Sequence, residues 1–306
     1  MSQTPEISVI VPTYNGHNKL MNCIDSLKRS SFLDLEIIVV DNGSTDDSVA
    51  LLRAKYPDVR LIRNYENLGI SRGRNIGALH SLGKYLLFVD HDVMIDREMI
   101  GHLVRPFRDN CRLGMTGPII YYLSAPDVVW AAGTSINMKS GRVFFNASLY
   151  KEPFFEVEVI PATFMIPRHL FFKVGGFDSS FFATYEDTDI CFRLRKSGYH
   201  LKIVANAKAW HDTPFGRDQK MLYLLDRSYF ISKNRIVFMK KHSKRIDLLI
   251  FVVLYVPIYA IYYGVLSMKY HKLTAYLAYL KGIFDGLTWY NLNDAGVKVP
   301  NPMQDY

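Results

Sequence analysis

Residues Ile7 to Gly16 read ISVIVPTYNG, and Leu35 to Asp41 read LEIIVVD. Ile7 to Val11 is a short β-branched run stopped by Pro12, and Leu35 to Val40 is a second apolar run closed by Asp41. Between them, Leu20, Ile24 and Leu27 recur at helical spacing. The alternation continues outward. Ser44-Thr45-Asp46-Asp47 offers helix caps before Val49 and Leu52, and Val59 to Ile62 reads as a third strand. Ser71 to Leu82 reads as a helix, and Tyr85 to Val89, YLLFV, as a fourth strand ending at Asp90. Strands this apolar on both faces, alternating with helices, predict a mostly parallel α/β sheet covered by helices on both sides. Ligands of such sheets sit at the carboxyl ends of the strands.

Those strand ends are polar: Thr13, Asn15, Asp41, Asn42 and Asp90. Each alone is a turn or cap residue; converging on one sheet edge they suggest a site. A dinucleotide fold would need G-x-G-x-x-G after the first strand, and PTYNG lacks it. Asp90-His91-Asp92 leaves a buried strand with two carboxylates at i and i+2, hard oxygen donors suited to Mg²⁺ or Mn²⁺ carrying phosphates. Farther on, Val157 to Ile166 and Ile119 to Tyr122 read as strands and Asp187 to Ser197 as a helix. Glu186, Asp187 and Asp189 crowd the first turn of that helix beyond what its dipole requires. After the strand-like LKIVA run, His211 becomes a metal candidate if it meets Asp90 and Asp92.

The blocks ISVIVPTYNG, LEIIVVDNGSTDDS, ENLGISRGRNIGA, YLLFVDHD, GGFDSSFF and YEDTDICFRLRKSGY, in that order over residues 7 to about 212, resemble family 2 glycosyltransferases with the GT-A (Rossmann-like) fold, nearest to rhamnosyltransferase-like members. The resemblance implies inverting transfer of a sugar from a nucleotide-diphosphate donor to an acceptor hydroxyl. It implies that Pro12, Thr13, Tyr14 and Asn15 line the nucleotide pocket, with Asp41, Asn42 and Gly43 near the base. Asn67, Arg72 and Asn75 would close over the donor. Asp90 would touch the ribose or the metal, while Asp92 and His211 would hold a divalent cation, Mn²⁺ or Mg²⁺. Asp187, beside Glu186, would be the catalytic base. His91 departs from the acidic or small residue common between the two aspartates. A nucleotidyltransferase, the alternative enzyme, should carry a Gly-rich basic loop after the first strand. A non-catalytic nucleotide-sugar-binding relative should have lost part of the set Asp90, Asp92, Asp187 and His211.

The chain has 306 residues, of which 49% are hydrophobic, enough for a sizeable core and too many for a disordered or disulfide-stapled chain. Cys23, Cys111 and Cys191 have no metal-binding spacing and suit a reducing compartment, and the N-terminus lacks a signal-peptide pattern. The net charge of +8 lies in one segment: Ile231 to Lys281 holds nine basic residues against Asp247 alone. The same segment contains Leu248 to Leu266, 19 positions without a charge. Such flanking suits an anionic membrane better than a nucleic acid. The expected organisation is a glycosyltransferase domain over 1–215 and a helical, basic and apolar membrane-associated region over 216–306. That region would hold the enzyme on the cytoplasmic face of the membrane near a glycan or lipid-linked acceptor. Pro257 should kink the apolar helix, which would span the bilayer, lie in its interface, or form a hairpin with Leu273 to Tyr290.

Overall fold

The computed structural model describes residues 4–148 and 152–289. The first units follow from apolar runs alternating with amphipathic helices: β1 (Ile7–Thr13), α1 (His17–Lys28), β2 (Leu35–Asp41), α2 (Ser48–Lys55), β3 (Arg60–Arg63), α3 (Gly69–Leu79) and β4 (Tyr85–Phe88). β1 pairs in parallel with β2 from Ile7–Leu35 to Thr13–Asp41, and with β4 only as far as Ile10–Phe88. Pro12 therefore does not end β1; it lies where the β4 ladder has already stopped. β2 also pairs in parallel with β3, giving the order β3-β2-β1-β4. Thr13, Asp41 and the chain after Phe88 consequently emerge at one edge of the sheet.

Next come β5 (Val93–Ile95), α4 (Met99–Val104), β6 (Leu113–Tyr122), β7 (Ala125–Ala131), β8 (Thr134–Asn137), β9 (Arg142–Phe145), β10 (Phe154–Glu156) and β11 (Phe164–Pro167). α5 (Arg168–Lys173), α6 (Glu186–Lys196) and β12 (His200–His211) complete this half. The sheet has ten strands in the order β10-β12-β6-β11-β4-β1-β2-β3, with β5 on β12, β7 on β6, and β8-β9 as a separate hairpin. Beyond β4 it is mixed: β11 runs antiparallel to β4 and β6, whereas β12 is parallel to β6.

The expected strand over Val157 to Ile166 is a correction. β10 ends at Glu156 and β11 begins at Phe164, because Pro161 removes a backbone donor and Ala162 adopts a left-handed φ of 60°. Apolar composition there reflects burial: Val159, Ile160 and Ala162 are core residues without being strand.

Buried side chains pack on both faces of the sheet. One layer joins Val9, Val11, Leu87 and Val89 to α1 and α4; the other joins Ile10, Leu86 and Phe88 to α5 and α6. From Gly216 the chain is helical: α7 (Arg217–Asp226), α8 (Ser228–His242), α9 (Arg245–Ile250), α10 (Val256–Lys269) and α11 (Leu273–Thr288). α9 and α10 are joined by a π-helical segment, Phe251–Tyr255, immediately before Pro257. The wider turn is where the helix adapts to the missing proline donor. α8 is anchored to the sheet half by Lys241, which pairs with Asp178 and Asp189, and by His242, 2.8 Å from Asp189. α11 lies close on α8, since a Cβ at Gly282 would fall 2.4 Å from the Tyr229 carbonyl oxygen. Residues beyond Trp289, including the end of the expected hairpin at Tyr290, lie outside the described residues.

Candidate functional site

The strand ends of β1, β2 and β4, the start of α6 and the end of β12 enclose a cavity of about 410 Å³. Its walls include Pro12, Thr13, Tyr14, Asn42, Asn67, Asp90, His91, Asp92, Glu186, Asp187 and His211. A cleft of about 510 Å³ at the far edge, beside Arg105, Pro153 and Lys202, has no comparable convergence of carboxylates.

Pairing brings the first cluster together. β5 runs antiparallel to the end of β12, with Val93 opposite His211, and the Asp212 amide donates to the Asp92 carbonyl at 2.9 Å. Two segments more than a hundred residues apart thus meet at one point. Donor atoms of Asp90, Asp92 and His211 all lie within 4.8 Å of one another, and His211 Nε2 is 3.2 Å from Asp92 Oδ1. The His211 ring stands edge-on to Trp130, and its Nδ1 is buried without a hydrogen-bond partner. Burial alone would lower the His211 pKa, but Asp92, together with Asp90 and Asp212, outweighs it and the net shift is upward. Burial would raise Asp92, and His211 instead holds it well below the usual carboxylate range. For Asp90 burial prevails over Arg74 and the shift is upward.

Arg74 links this cluster to the second. Fully buried on α3, it donates to Asp90 Oδ1 at 2.7 Å, to an oxygen of Asp187, and to Glu186 Oε1 at a long 3.5 Å. The ring faces of Phe164 and Phe177 lie 5.6 and 5.2 Å away. A forked guanidinium flanked by aromatic faces is the cation best suited to such a place. The other Asp187 oxygen accepts from the Ala162 amide at 2.8 Å. The left-handed turn that breaks the expected strand therefore aims a backbone donor at Asp187. Thr184 and Tyr185, each at φ 67°, immediately precede α6 and present Glu186 and Asp187 to the cavity. Asn234 on α8 holds this turn, donating to the carbonyls of Ala183 at 2.6 Å and Thr184 at 3.1 Å. Strained backbone persists where surrounding structure over-determines it.

Glu186 is buried beside Asp187, and desolvation followed by that like charge pushes its pKa up to about 8, against the opposing pull of Arg74. A raised folded pKa means the folded state binds the extra proton. The stabilisation is complete below the unfolded value of about 4.3 and is lost as pH rises through 8. Glu186→Gln should therefore gain on the wild type in melting temperature between pH 5 and pH 8.5. Parallel thermal melts of both proteins check this, and a constant difference across that range would show that Glu186 does not titrate there.

The model of glycosyl transferase family 2 matches residues 8–175, more than half of the chain. The chain belongs to that family. An uncharacterized glycosyltransferase of Rickettsia typhi is 29% identical over 204 residues, 62% of this chain and 59% of its own length. The uncharacterized glycosyltransferase YibD of Escherichia coli is 41% identical over 95 residues, 30% of this chain and 27% of its own length. The chain thus spans less than two thirds of either relative. Among solved structures, the fold resembles GalNAc-T7 with UDP, GalNAc and Mn²⁺ (TM-score 0.60, 17% identity, 76% of this chain, 52% of that one). It also resembles the mannosyltransferase PcManGT of Pyrobaculum calidifontis in complex with GDP-Man and Mn²⁺ (TM-score 0.59, 15% identity). That likeness covers 94% of this chain and 88% of the other, so it extends into the C-terminal helices.

In this family 2 chain the sequence-derived residues divide. Those named above as walls face the cavity. Asp41 is fully buried behind them, accepting from the Ser44 amide at 3.1 Å and lying 3.3 Å from Arg63. Asn15 accepts from the Thr45 amide, and Gly43, at φ 73°, has no room for a Cβ beside the Glu66 backbone. Arg72 is exposed on α3, and Asn75 is buried, exchanging hydrogen bonds with the backbone of Phe177. None of these five lines the cavity. Arg74 was missed, although its signal was present: it shares a helical face with Ile70 and Ala78, four residues away on either side. Phe182, the end of the GGFDSSFF block, also lines the cavity, as do Thr184, Tyr223 and Arg227, which carried no sequence signal.

Proposed function

We propose that the chain is an inverting glycosyltransferase moving a hexosyl or deoxyhexosyl unit from a nucleotide-diphosphate sugar to an acceptor hydroxyl. The observation that carries this is the pair of clusters in one cavity. Asp90, Asp92 and His211 lie on one side and Asp187 on the other, with Arg74 joining them. The first cluster fits a divalent cation: two carboxylates and an imidazole supply hard and borderline donors, and the orphaned His211 nitrogen marks a ring not fully satisfied by protein. Asp90, Asp92 and His211 would hold Mn²⁺ or Mg²⁺, which when bound offsets charge on the departing diphosphate.

The remaining chemistry falls to the chain itself. An acceptor hydroxyl is a poor nucleophile, and Asp187 is the group placed to take its proton. Its two oxygens are fixed by Arg74 and the Ala162 amide, and a carboxylate so held keeps lone pairs for a third partner. Glu186, carrying its proton near neutral pH, adds no second negative charge beside it. With Asp187 as the one base and none of the other described residues assigned as a covalent nucleophile, the reading is a single displacement, and hence inversion. Thr13, Tyr14, Asn42 and Asn67 would receive the nucleotide.

The test is donor turnover by the full chain across UDP- and GDP-sugars with Mn²⁺, followed by the anomeric configuration of the product. Chelation with EDTA should abolish turnover, and Asp92→Ala should weaken Mn²⁺-dependent nucleotide binding at least tenfold. Metal-independent turnover, or retained configuration, would overturn the corresponding part of the proposal.

The acceptor we place at a membrane. The helix Arg245–Lys269 exposes Val253, Leu254, Ile258, Ile261, Val265 and Met268. α11 exposes Leu273, Leu277, Leu280, Phe284 and Leu287 at alternating spacings of four and three. The opposite face is not free for lipid, because Phe251, Tyr263, Leu266 and Tyr279 pack inward with α7 and α8. One apolar face, one packed face and lysines at the hairpin ends favour a helix pair lying in the interface over a span. Such a position on the cytoplasmic leaflet would bring the cavity to a lipid-linked acceptor. Full-length protein should co-sediment with phosphatidylglycerol vesicles, and Ile261→Glu with Phe284→Glu should abolish that binding. Unchanged co-sedimentation would remove the basis for the lipid-linked acceptor.

A further inference from the structure

Arg227 is a cation in the wall of the cavity that the carboxylates there leave unused. It occupies the junction between α7 and α8, so its side chain leaves the chain where one helix has ended and the next begins. Among the described residues it has no carboxylate partner within 4 Å and no side-chain hydrogen bond. Its guanidinium instead lies 3.6 Å from the centre of the Tyr223 ring, itself part of the wall. The acids opposite are already engaged: Asp90 and Asp187 by Arg74, and Asp92 by His211. Stacking on tyrosine fixes the plane of a guanidinium and leaves the N–H groups along its edge free, the geometry that grips two oxygens of one phosphate.

We propose that Arg227 forms a phosphate subsite of the cavity, supplied by the C-terminal helices and built for a phosphate ester oxyanion. This rests on the glycosyltransferase assignment above and adds to it a residue outside the matched family segment, which ends at residue 175. The oxyanion belongs either to the diphosphate of the donor or to a phosphate on a lipid-linked acceptor. α7 faces both: Tyr223 lines the cavity, while Met221, Leu224 and Leu225 pack toward the apolar helix pair. A purely structural role, an arginine complementing the carboxyl end of α7, would leave ligand binding unmoved.

The experiment compares phosphate-bearing and phosphate-free probes on the full chain. Wild type, Arg227→Ala and Arg227→Lys are titrated with UDP and GDP, and in competition with uridine and guanosine, all with Mn²⁺. They are also assayed for binding to neutral lipid vesicles doped with polyprenyl phosphate or with polyprenol. Arg227→Ala should lose about 10- to 100-fold in one phosphate-bearing series and nothing in its phosphate-free counterpart, the size expected for a charge-assisted hydrogen bond. Arg227→Lys, which keeps the charge without the stacked plane, should recover part of that loss. A loss confined to UDP and GDP assigns the subsite to the donor, and one confined to polyprenyl phosphate assigns it to the acceptor. Unchanged binding in both series, or equal loss for phosphate-bearing and phosphate-free probes, overturns the proposal. Failure of the glycosyltransferase assignment shows instead in the unmutated chain, which would then transfer no sugar from any UDP- or GDP-sugar.

Discussion

Asp187→Ala should lower turnover by about 10²- to 10⁴-fold, the range typical of losing a positioned general base. Nucleotide binding with Mn²⁺ should survive, because Asp90, Asp92 and His211 do not touch Asp187 except through Arg74. The fold should survive as well. Arg74 keeps Asp90 and Glu186 but loses its bond to Asp187, and the Ala162 amide loses its acceptor, about 1–3 kcal/mol for each buried donor left unpaired. Single-turnover kinetics beside nucleotide titration separates these effects. Near-wild-type turnover in Asp187→Ala would sink the assignment, and Glu186, the other carboxyl at the start of α6, would be the next to examine.

Arg74→Met should have the largest effect on stability of any single substitution in the site. The side chain is fully buried and is the one cation serving Asp90, Glu186 and Asp187 among the described residues. Removing one partner of a buried ion cluster costs about 3–5 kcal/mol, because the charges left behind are neither solvated nor paired. At about 2–4 °C per kcal/mol for chains of roughly this size, the melting temperature should drop by about 6–20 °C. The deficit should shrink as pH falls toward 4, where the stranded carboxylates can take up protons. Arg74→Lys should recover little, since one ammonium cannot reach the carboxyl groups of Asp90, Asp187 and Glu186 in the geometry of a fork. A melting temperature within 2 °C of wild type, a margin of about 1 kcal/mol or less on the same scale, would show that the cluster is not held by this residue.

The sequence by itself determined the part of this protein whose physics is local. Apolar runs such as ISVIV, LEIIVV and YLLF cannot be exposed, and helical periods between them leave a parallel α/β half as the economical way to bury both faces. The carboxylates Asp90, Asp92, Glu186 and Asp187 were legible for a related reason, since acids at the end of buried strands or crowding one helical turn are unusual without a role. The family resemblance extended that to His211. Only the tertiary structure decided which polar residues meet. Arg72 and Arg74 are two positions apart on α3, and rotation of the helix on β1 and β2 sends one to solvent and the other under three carboxylates. Ala162 looked like strand because it is buried, yet it turns left-handed to give its amide to Asp187, a partner 25 residues away. The region from residue 216 onward was legible as helical, basic and apolar. That α7 also lends Tyr223 and Arg227 to the cavity while α10 and α11 leave one face bare depended on how the helices dock. Periodicity states which residues share a face of an element; only packing between distant elements states what that face touches.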